Sequence, residues 1–240
     1  MVRPDPRIHG DIPGVPVGLM FADREDLYNA GVHGHKEAGI FGTKYDNGAY
    51  SIVLNQGYED DDDRGDTIIY TGEGKGKPKE GQAPKPGSKT QQGPQDMKSS
   101  GNAALERSVK SGLGVRVIRG PDGNIKYCPA QGYRYDGLYI VTRAWMEEGK
   151  AGFKMCRFEL KRDDDLGQDP LPLHISGTGS SDKYWSPDGT EALARGKECR
   201  AVRAAMAATQ TTGRTTQQSI QEITGHKKYV GHSFKRTGGA

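Results

Sequence analysis

Two tyrosines bracket the most acidic stretch of the chain, and together these residues suggest a binding site for a nucleobase. Six carboxylates occupy the eight positions from Glu59 to Asp66, with Tyr58 directly before this run and Tyr70 shortly after it. If the tyrosines lie at the ends of adjoining strands, their rings could face each other across a slot, and nucleobases stack on such aromatic faces. A carboxylate at the base of the slot would accept a hydrogen bond from an exocyclic amine, such as N4 of cytosine.

The same acidic run has two other interpretations. It could be a solvated surface loop without a ligand. It could also bind calcium, which prefers oxygen ligands, although the acids lack the alternating spacing of an EF-hand loop. The composition alone leaves all three interpretations open.

Other residues that could do chemistry show no recognised spacing. The glycines of residues 72–76 alternate with charged residues, but their spacing matches neither the Walker nor the Rossmann pattern. The histidines form no HExxH pair and no Cys/His ligand set. The three cysteines lie far apart, which argues against a disulfide framework or a zinc site, and we interpret Cys128 and Cys156 as buried structural thiols. We therefore expect no metal, no cofactor and no catalytic residue.

A basic C-terminal segment contrasts with a mildly acidic remainder. Residues 195–240 hold nine lysines and arginines against two glutamates, whereas the whole chain of 240 residues carries a net charge of only +3. A basic tail favours contact with a polyanion such as nucleic acid. No stretch approaches the ~18 apolar residues of a membrane helix. The first residues lack the apolar run of a secretory signal, so we expect an intracellular protein without a membrane partner.

The elements that would carry these residues are mostly short strands. Five segments rich in β-branched and aromatic residues are separated by glycine, asparagine and aspartate. They lie at residues 49–54, 66–71, 115–118, 138–142 and 154–160. Such a series predicts a mainly β sandwich or barrel rather than a doubly wound α/β fold. Short flanking helices are predicted at residues 22–31 and 102–110, and the alanine-rich residues 191–208 are compatible with a third.

The chain is predicted to divide into three regions. Residues 1–10 are interpreted as a flexible lead-in, residues 11–170 as one domain, and residues 171–240 as a basic extension that is partly helical and otherwise poorly ordered. Within the domain, residues 72–101 hold seven Gly, four Pro and six Lys but no Leu, Ile, Val or Phe. A segment of this composition cannot bury enough apolar surface to offset its ordering entropy, so we expect a polar, flexible loop.

Several sequence blocks, taken in order, resemble the SRA (SET- and RING-associated) domain. The family is also called the YDG domain, after the triplet that lies here at Tyr135, Asp136 and Gly137. The blocks that carry the resemblance are residues 12–18, 38–54, 57–72, 115–119, 127–130, 134–139 and 158–163. Together they cover roughly residues 10–170.

The resemblance implies a PUA-like β-barrel with flanking helices. It also implies a function, which is to bind methylated CpG in double-stranded DNA and to flip 5-methylcytosine out of the stack. Tyr58 and Tyr70 match the two aromatic residues that sandwich the flipped base, and Asp61 matches the aspartate that reads its Watson–Crick edge. Thr71 matches the position whose backbone completes that recognition. Further pocket positions lie in the adjoining turn, at Gly72 and Gly74.

The resemblance further implies two loops that approach the DNA from its two grooves. The thumb loop carries Glu37 and Ala38 here, and an acid at this position departs from the apolar residue that would suit contact with bases. The finger loop falls in residues 75–98, which are unusually long and lack an evident Asn-Lys-Arg. Its nearest substitutes are Lys85, Lys89, Gln91 and Gln92. Residues expected to contact phosphates are Arg116, Arg119, Lys161 and Arg162.

These inferences lead to a non-catalytic nuclear reader of methylated CpG DNA, with chromatin proteins as further partners and no small-molecule substrate. One alternative is the specificity domain of a modified-cytosine-dependent endonuclease, with its chemistry in residues 175–240. Another is a degenerate SRA domain retained for protein contacts, which the acid at Glu37 and the altered finger would suit. No SET, RING or PHD pattern accompanies the domain.

Overall fold

The computed structural model describes residues 3–45, 47–55, 58–74, 91, 93–163, 165 and 167–171, and two short strands at 183–184 and 192–193. The chain divides into two units, residues 1–193 and residues 194–240, and the second lies outside the described residues. Most of the predicted C-terminal extension therefore lies outside them as well. Among the described helices, none is long and apolar enough to span a membrane.

Strands dominate the described part of the chain. The strands are β1 (Met20–Phe21), β2 (Ile40–Thr43), β3 (Gly48–Leu54), β4 (Asp62–Asp63), β5 (Thr67–Thr71), β6 (Val115–Arg119), β7 (Tyr133–Glu148), β8 (Lys154–Arg162), β9 (Lys183–Tyr184) and β10 (Ala192–Leu193). The helices are α1 (Arg24–Asn29) and α2 (Ser100–Ser111). The prediction of a mainly β fold with flanking helices is confirmed.

One continuous sheet connects the strands, and β7 is its central member. β3 pairs in parallel with β6, and β6 pairs antiparallel with the first half of β7. The second half of β7 pairs antiparallel with β8, and β8 continues to β5, which pairs with β4. Register shifts interrupt the β6–β7 and β7–β8 ladders. Because β7 changes partner along its length, it connects the sheet region of β3 and β6 to that of β5 and β8.

Two apolar clusters form the core. The larger lies between the sheet and α2, where Leu105 packs with residues such as Ile52, Ile68 and Phe158. α2 approaches β3 closely at Gly48, whose φ is +110° and whose Cβ, if present, would lie 2.7 Å from the backbone nitrogen of Ser108. The smaller cluster joins α1 to the N-terminal segment; its members include Ile12, Phe21, Leu27, Val32 and Ile118. Each fully buried side chain of this size contributes about 1.5–3 kcal/mol.

The N-terminal residues differ from the expected flexible lead-in, because Arg116 holds them against the domain. The guanidinium is completely buried and donates to Val32 O at 3.0 Å, Gly10 O at 2.7 Å and Pro6 O at 2.6 Å. It also donates to Ile8 O. A buried cation requires acceptors for its donors, and the extended N-terminal backbone supplies them. The expected contact of Arg116 with a phosphate is therefore wrong.

Candidate functional site

An open cavity of about 530 Å³ lies where β3 and β5 end. Tyr58 and Asp61 come from the loop between β3 and β4, and Tyr70 comes from the end of β5. Gly72 and Glu73 line the cavity just beyond β5, and one side is formed by the loop that precedes β2. The structure thus brings together the two tyrosines and the aspartate that the sequence predicted as a pocket.

Both tyrosines are held in place and stay uncharged. Tyr70 is 7% exposed and pairs with Phe158 across the β5–β8 ladder. Gly39 packs directly over it, since a Cβ on Gly39 would lie 2.8 Å from the Tyr70 hydroxyl oxygen. The Tyr58 hydroxyl accepts a hydrogen bond from Gly74 N at 2.9 Å. Burial raises the pKa of both tyrosines, so each ring presents a neutral aromatic face at physiological pH.

Asp61 supplies the polar group of the cavity. Its Oδ1 accepts a hydrogen bond from Thr71 N at 2.8 Å, and the Thr71 side chain also hydrogen-bonds the carboxylate. Burial raises the pKa of Asp61 to about 6, against the opposing effect of these hydrogen bonds. Near pH 7 the group is therefore mostly ionised and can only accept hydrogen bonds. Since two oxygens offer about four acceptor positions, acceptor capacity remains for a ligand.

The backbone after β5 is fixed by hydrogen bonds to β8 and α2, outside the cavity. Gly72 N donates to Cys156 O at 2.9 Å, and Glu73 N donates to Asn102 Oδ1 at 2.8 Å. Gly72 must lack a side chain, because a Cβ there would lie 2.3 Å from Asn102 Oδ1. Glu73 in turn accepts from Gly101 N at 2.7 Å, in the first turn of α2. The predicted pocket glycines thus lie beside the cavity in a tightly bonded turn.

The finger loop is only partly described. Lys85, Lys89 and Gln92 lie outside the described residues. Gln91 is 4% exposed, and its Oε1 accepts a hydrogen bond from Gln95 Nε2 at 3.2 Å. The expected groove contact of Gln91 is therefore wrong, because its amide is buried in the support of the turn after β5.

The loop that carries Glu37 is anchored at its base. Arg24 Nε donates to Lys36 O at 3.0 Å, and its Nη2 donates to His35 O at 3.2 Å and to Ala38 O. His33 is completely buried, with Nε2 2.9 Å from Ala38 O, and burial lowers its pKa well below the usual range. Glu37 and Ala38 are exposed. Glu37 lines the cavity, and the contact of this thumb loop with DNA stays a prediction. The role of Arg24 left no recognisable signal in the sequence.

A buried ionic network accounts for the aspartate of the YDG triplet. Arg119 is 1% exposed and makes two hydrogen bonds of 2.8 Å to Asp63, one through Nε and one through Nη2. Its Nη1 donates to Asp136 Oδ2 at 2.8 Å, and Asp136 also pairs with Arg134 at 2.5 Å. The expected phosphate contact of Arg119 is therefore wrong. The network instead connects β4, directly after the pocket aspartate, to β6 and β7, and Tyr135 bonds Asp11.

The acidic run does not act as one site. Each acid next to Asp61 has its own partner: Asp60 accepts from Lys150 N at 2.9 Å, Asp62 pairs with Arg64 at 2.6 Å, and Asp63 binds Arg119. Within the described residues, no group of three or more acids, histidines or cysteines could hold a metal ion. This arrangement does not support the calcium interpretation.

Two further predicted phosphate contacts, those of Lys161 and Arg162, remain predictions. Lys161 is exposed, with Nζ 3.8 Å from Glu159 Oε2. Arg162 is partly buried and donates to Asp169 O at 2.5 Å. Lys161 is therefore accessible to a polyanion, whereas Arg162 is engaged with the backbone.

Comparisons with known proteins identify the family of this chain. The model of the SAD/SRA domain matches residues 8–166. A UHRF1-like protein from Cryptococcus neoformans var. grubii is 43% identical over 180 residues, which are 70% of this chain and 49% of that protein. The SUVH5 SRA domain in complex with fully methylated CG DNA is 37% identical with a TM-score of 0.54, covering 69% of this chain and 99% of that chain. The modification-dependent TagI restriction endonuclease is 45% identical with a TM-score of 0.58, covering 65% of this chain and 53% of that chain.

These matches confirm the predicted PUA-like SRA fold. The chain spans at most about half the length of the curated relatives it matches, since it covers 49% of the Cryptococcus protein and 24% of SUVH9 from Arabidopsis thaliana. The family match includes the cavity, the YDG triplet and both arginines of the buried network. In sequence and in fold, the chain belongs to the SAD/SRA domain family.

Proposed function

We propose that this chain binds double-stranded DNA with methylated CpG and holds a flipped 5-methylcytosine between Tyr58 and Tyr70. The observation that carries the proposal is the convergence of two neutral aromatic rings and one acceptor carboxylate in a single open cavity. Its volume of about 530 Å³ is ample for one base. The related SUVH5 domain, solved with fully methylated CG DNA, supports the same ligand for this chain.

Asp61 accounts for the choice of cytosine. The ionised carboxylate accepts a hydrogen bond from the N4 amine of cytosine, whereas thymine presents a carbonyl oxygen at that position. A carboxylate facing a carbonyl leaves both oxygens without a donor, which costs about 1–3 kcal/mol when the groups are buried. The pocket therefore favours cytosine over thymine by its charge state as well as its shape.

The energy balance of base flipping is compatible with this pocket. Extrusion costs a few kcal/mol of lost stacking and pairing. Stacking on an aromatic side chain returns about 1–3 kcal/mol per base. Two tyrosines and one charge-assisted hydrogen bond therefore offset the extrusion without a further energy source.

The biological role that suits this site is that of a nuclear, chromatin-associated reader without catalytic activity of its own. Support comes from relatives such as the UHRF1-like protein and SUVH9, a histone-lysine methyltransferase family member. A second role, as the specificity domain of an endonuclease, is favoured by the likeness to TagI. Incubation of the chain with methylated plasmid and a divalent metal separates the two, because methylation-dependent cleavage would contradict the non-catalytic reader.

A competition titration tests the pocket directly. A labelled methylated CpG duplex is displaced by unlabelled duplexes that are methylated, hydroxymethylated or unmodified, at one fixed salt concentration. We expect Tyr58→Ala and Asp61→Ala to abolish the preference for methylated DNA. The matched control is Tyr45→Ala, since Tyr45 is 83% exposed in the turn between β2 and β3 and does not line the cavity. Equal methyl preference in the wild type and both pocket variants would refute the assignment.

A further inference from the structure

Arg157 is a buried cation directly behind the pocket. It lies in β8 opposite Thr71 of β5 and is 7% exposed. Neither the apolar core nor the ionic network around Arg119 involves it. A buried arginine requires partners for its charge and its donors, and those partners indicate what it does.

Its contacts lead to Asp61 through Thr71. Arg157 Nη1 donates to Thr71 Oγ1. On the opposite side, Arg157 Nε lies 2.8 Å from Glu147 Oε1, on β7. Thr71 contacts the pocket carboxylate through its backbone N–H, at 2.8 Å from Asp61 Oδ1, and through its side chain.

The direction of these hydrogen bonds matters. Because the Thr71 oxygen accepts from Arg157, its hydroxyl proton is available to the Asp61 carboxylate. Hydrogen bonds in such a chain polarise one another, and a charged donor at its start strengthens the later ones. This series of hydrogen bonds from Arg157 through Thr71 therefore stabilises the ionised form of Asp61, whereas burial destabilises that form.

We propose that Arg157 is a positioning residue that, through Thr71, keeps Asp61 in its ionised, acceptor form, so that the pocket separates cytosine from thymine at neutral pH. This inference rests on the proposed function for its biological meaning. The coupling of Arg157 to Asp61 on which it depends is already present in the DNA-free protein and can be tested there.

The other charged or titratable groups around the carboxylate do not replace Arg157. Tyr58 and Tyr70 are neutral, Glu37 and Glu73 bring carboxyl groups to the same cavity, and Lys36 pairs with Glu25 at 2.7 Å. Arg24 lines the cavity, but its Nε and Nη2 groups donate to carbonyls of the thumb loop. The charge of Arg157 is the one that lowers the pKa of Asp61 from within the wall of the pocket.

The first experiment follows the Asp61 carboxyl carbon by NMR during a pH titration of the DNA-free chain. We expect Arg157→Gln to raise the pKa of Asp61 above its value of about 6 by about one, a roughly tenfold tighter binding of the proton. The matched control is Arg143→Gln, which removes a charge from the exposed face of β7, where Arg143 stacks on Trp145 at 4.1 Å. An unchanged pKa in Arg157→Gln, or equal changes in both variants, would overturn the proposal.

A second variant keeps the test decisive if Arg157→Gln does not fold. Arg157→Lys retains the charge but has one donor group for two partners, so we expect an intermediate pKa of Asp61. Thr71→Val removes the hydroxyl and retains the backbone N–H. If Thr71 relays the effect, Arg157→Lys should change the pKa less in the Thr71→Val background than alone, and additive changes would contradict the relay.

The DNA measurement separates this inference from the proposed function. Duplexes that place 5-methylcytosine or thymine opposite guanine are compared between pH 6 and pH 8. We expect Arg157→Gln to lose the preference for 5-methylcytosine over thymine at a higher pH than the wild type does. Arg143→Gln should lose it at the same pH as the wild type. Uniform weakening at every pH would show a merely structural role. If the wild type itself shows no preference for modified DNA, the proposed function fails, while the NMR titration still decides on Arg157.

Discussion

Replacing Asp136 with Asn should destabilise the domain severely, because Asp136 joins two buried arginines. Its carboxylate is completely buried. One oxygen lies 2.8 Å from Arg119 Nη1, and the other lies 2.5 Å from Arg134 Nε. An asparagine retains one acceptor oxygen, but it directs an NH₂ group at the second guanidinium. One buried cation then faces a donor instead of an anion.

The contacts set the size of the effect. Removing one partner of a buried ion pair costs about 3–5 kcal/mol. The lower end applies to Asp136→Asn, because Arg119 retains both of its hydrogen bonds to Asp63, each 2.8 Å long. We therefore expect a loss of about 3 kcal/mol. That loss is a large fraction of the roughly 5–15 kcal/mol by which a typical domain is stable.

Urea unfolding followed by circular dichroism measures this loss as a lower midpoint with an unchanged slope. The matched control is Asp62→Asn, whose partner Arg64 lies 2.6 Å away in an exposed pair. We expect its midpoint to equal that of the wild type, because solvent screens exposed pairs. A loss below about 1 kcal/mol for Asp136→Asn, or the same loss in both variants, would refute the reasoning that burial makes this network essential.

Three further outcomes follow from the site. The preference for methylated DNA should be present above pH 6 and fall as the pH drops through about 6, because protonation removes the negative charge of Asp61 and turns one of its oxygens into a donor; in anisotropy titrations Asp61→Asn should lack this dependence. Gly39→Ala would place a Cβ 2.8 Å from the Tyr70 hydroxyl oxygen and should cost about 1 kcal/mol of base stacking with little change in thermal stability. Arg116→Met should release residues 6–10 from the domain and speed their cleavage in limited proteolysis, while the salt dependence of DNA binding stays unchanged; a slope reduced by about 0.9 would indicate a phosphate contact after all.

The sequence predicted the strands well where their composition is uniform. The predicted segments 49–54 and 115–118 correspond to β3 and β6 within one residue at each end. β7 was underestimated, since it runs over Tyr133–Glu148 rather than residues 138–142. Gly137 and the polar residues after Val141 concealed its length, because the strand projects beyond the core at one end and is stabilised there by pairing with β8.

The pocket was accessible from the sequence, whereas its support was not. Tyr58, Asp61 and Tyr70 lie within a short segment and carry a recognisable pattern. Arg119 and Asp63 are 56 residues apart and meet only in the folded chain. Arginines are rarely buried without partners, so a sequence offers every reason to place them on the surface. The two wrong phosphate contacts, Arg116 and Arg119, share this physical origin.

The structure also resolves how a pocket can tolerate its own acidic run. Six neighbouring carboxylates would repel one another and raise each other's pKa values if they faced a common space. The fold prevents this by placing successive acids in different surroundings. Asp62 pairs with Arg64 in solvent, and Asp63 turns into the core to Arg119. Burial, not repulsion from its neighbours, is then the largest influence on the pKa of Asp61. Asp61 thus lines the cavity together with Tyr58 and Tyr70, and one carboxylate is sufficient to accept a hydrogen bond from one exocyclic amine.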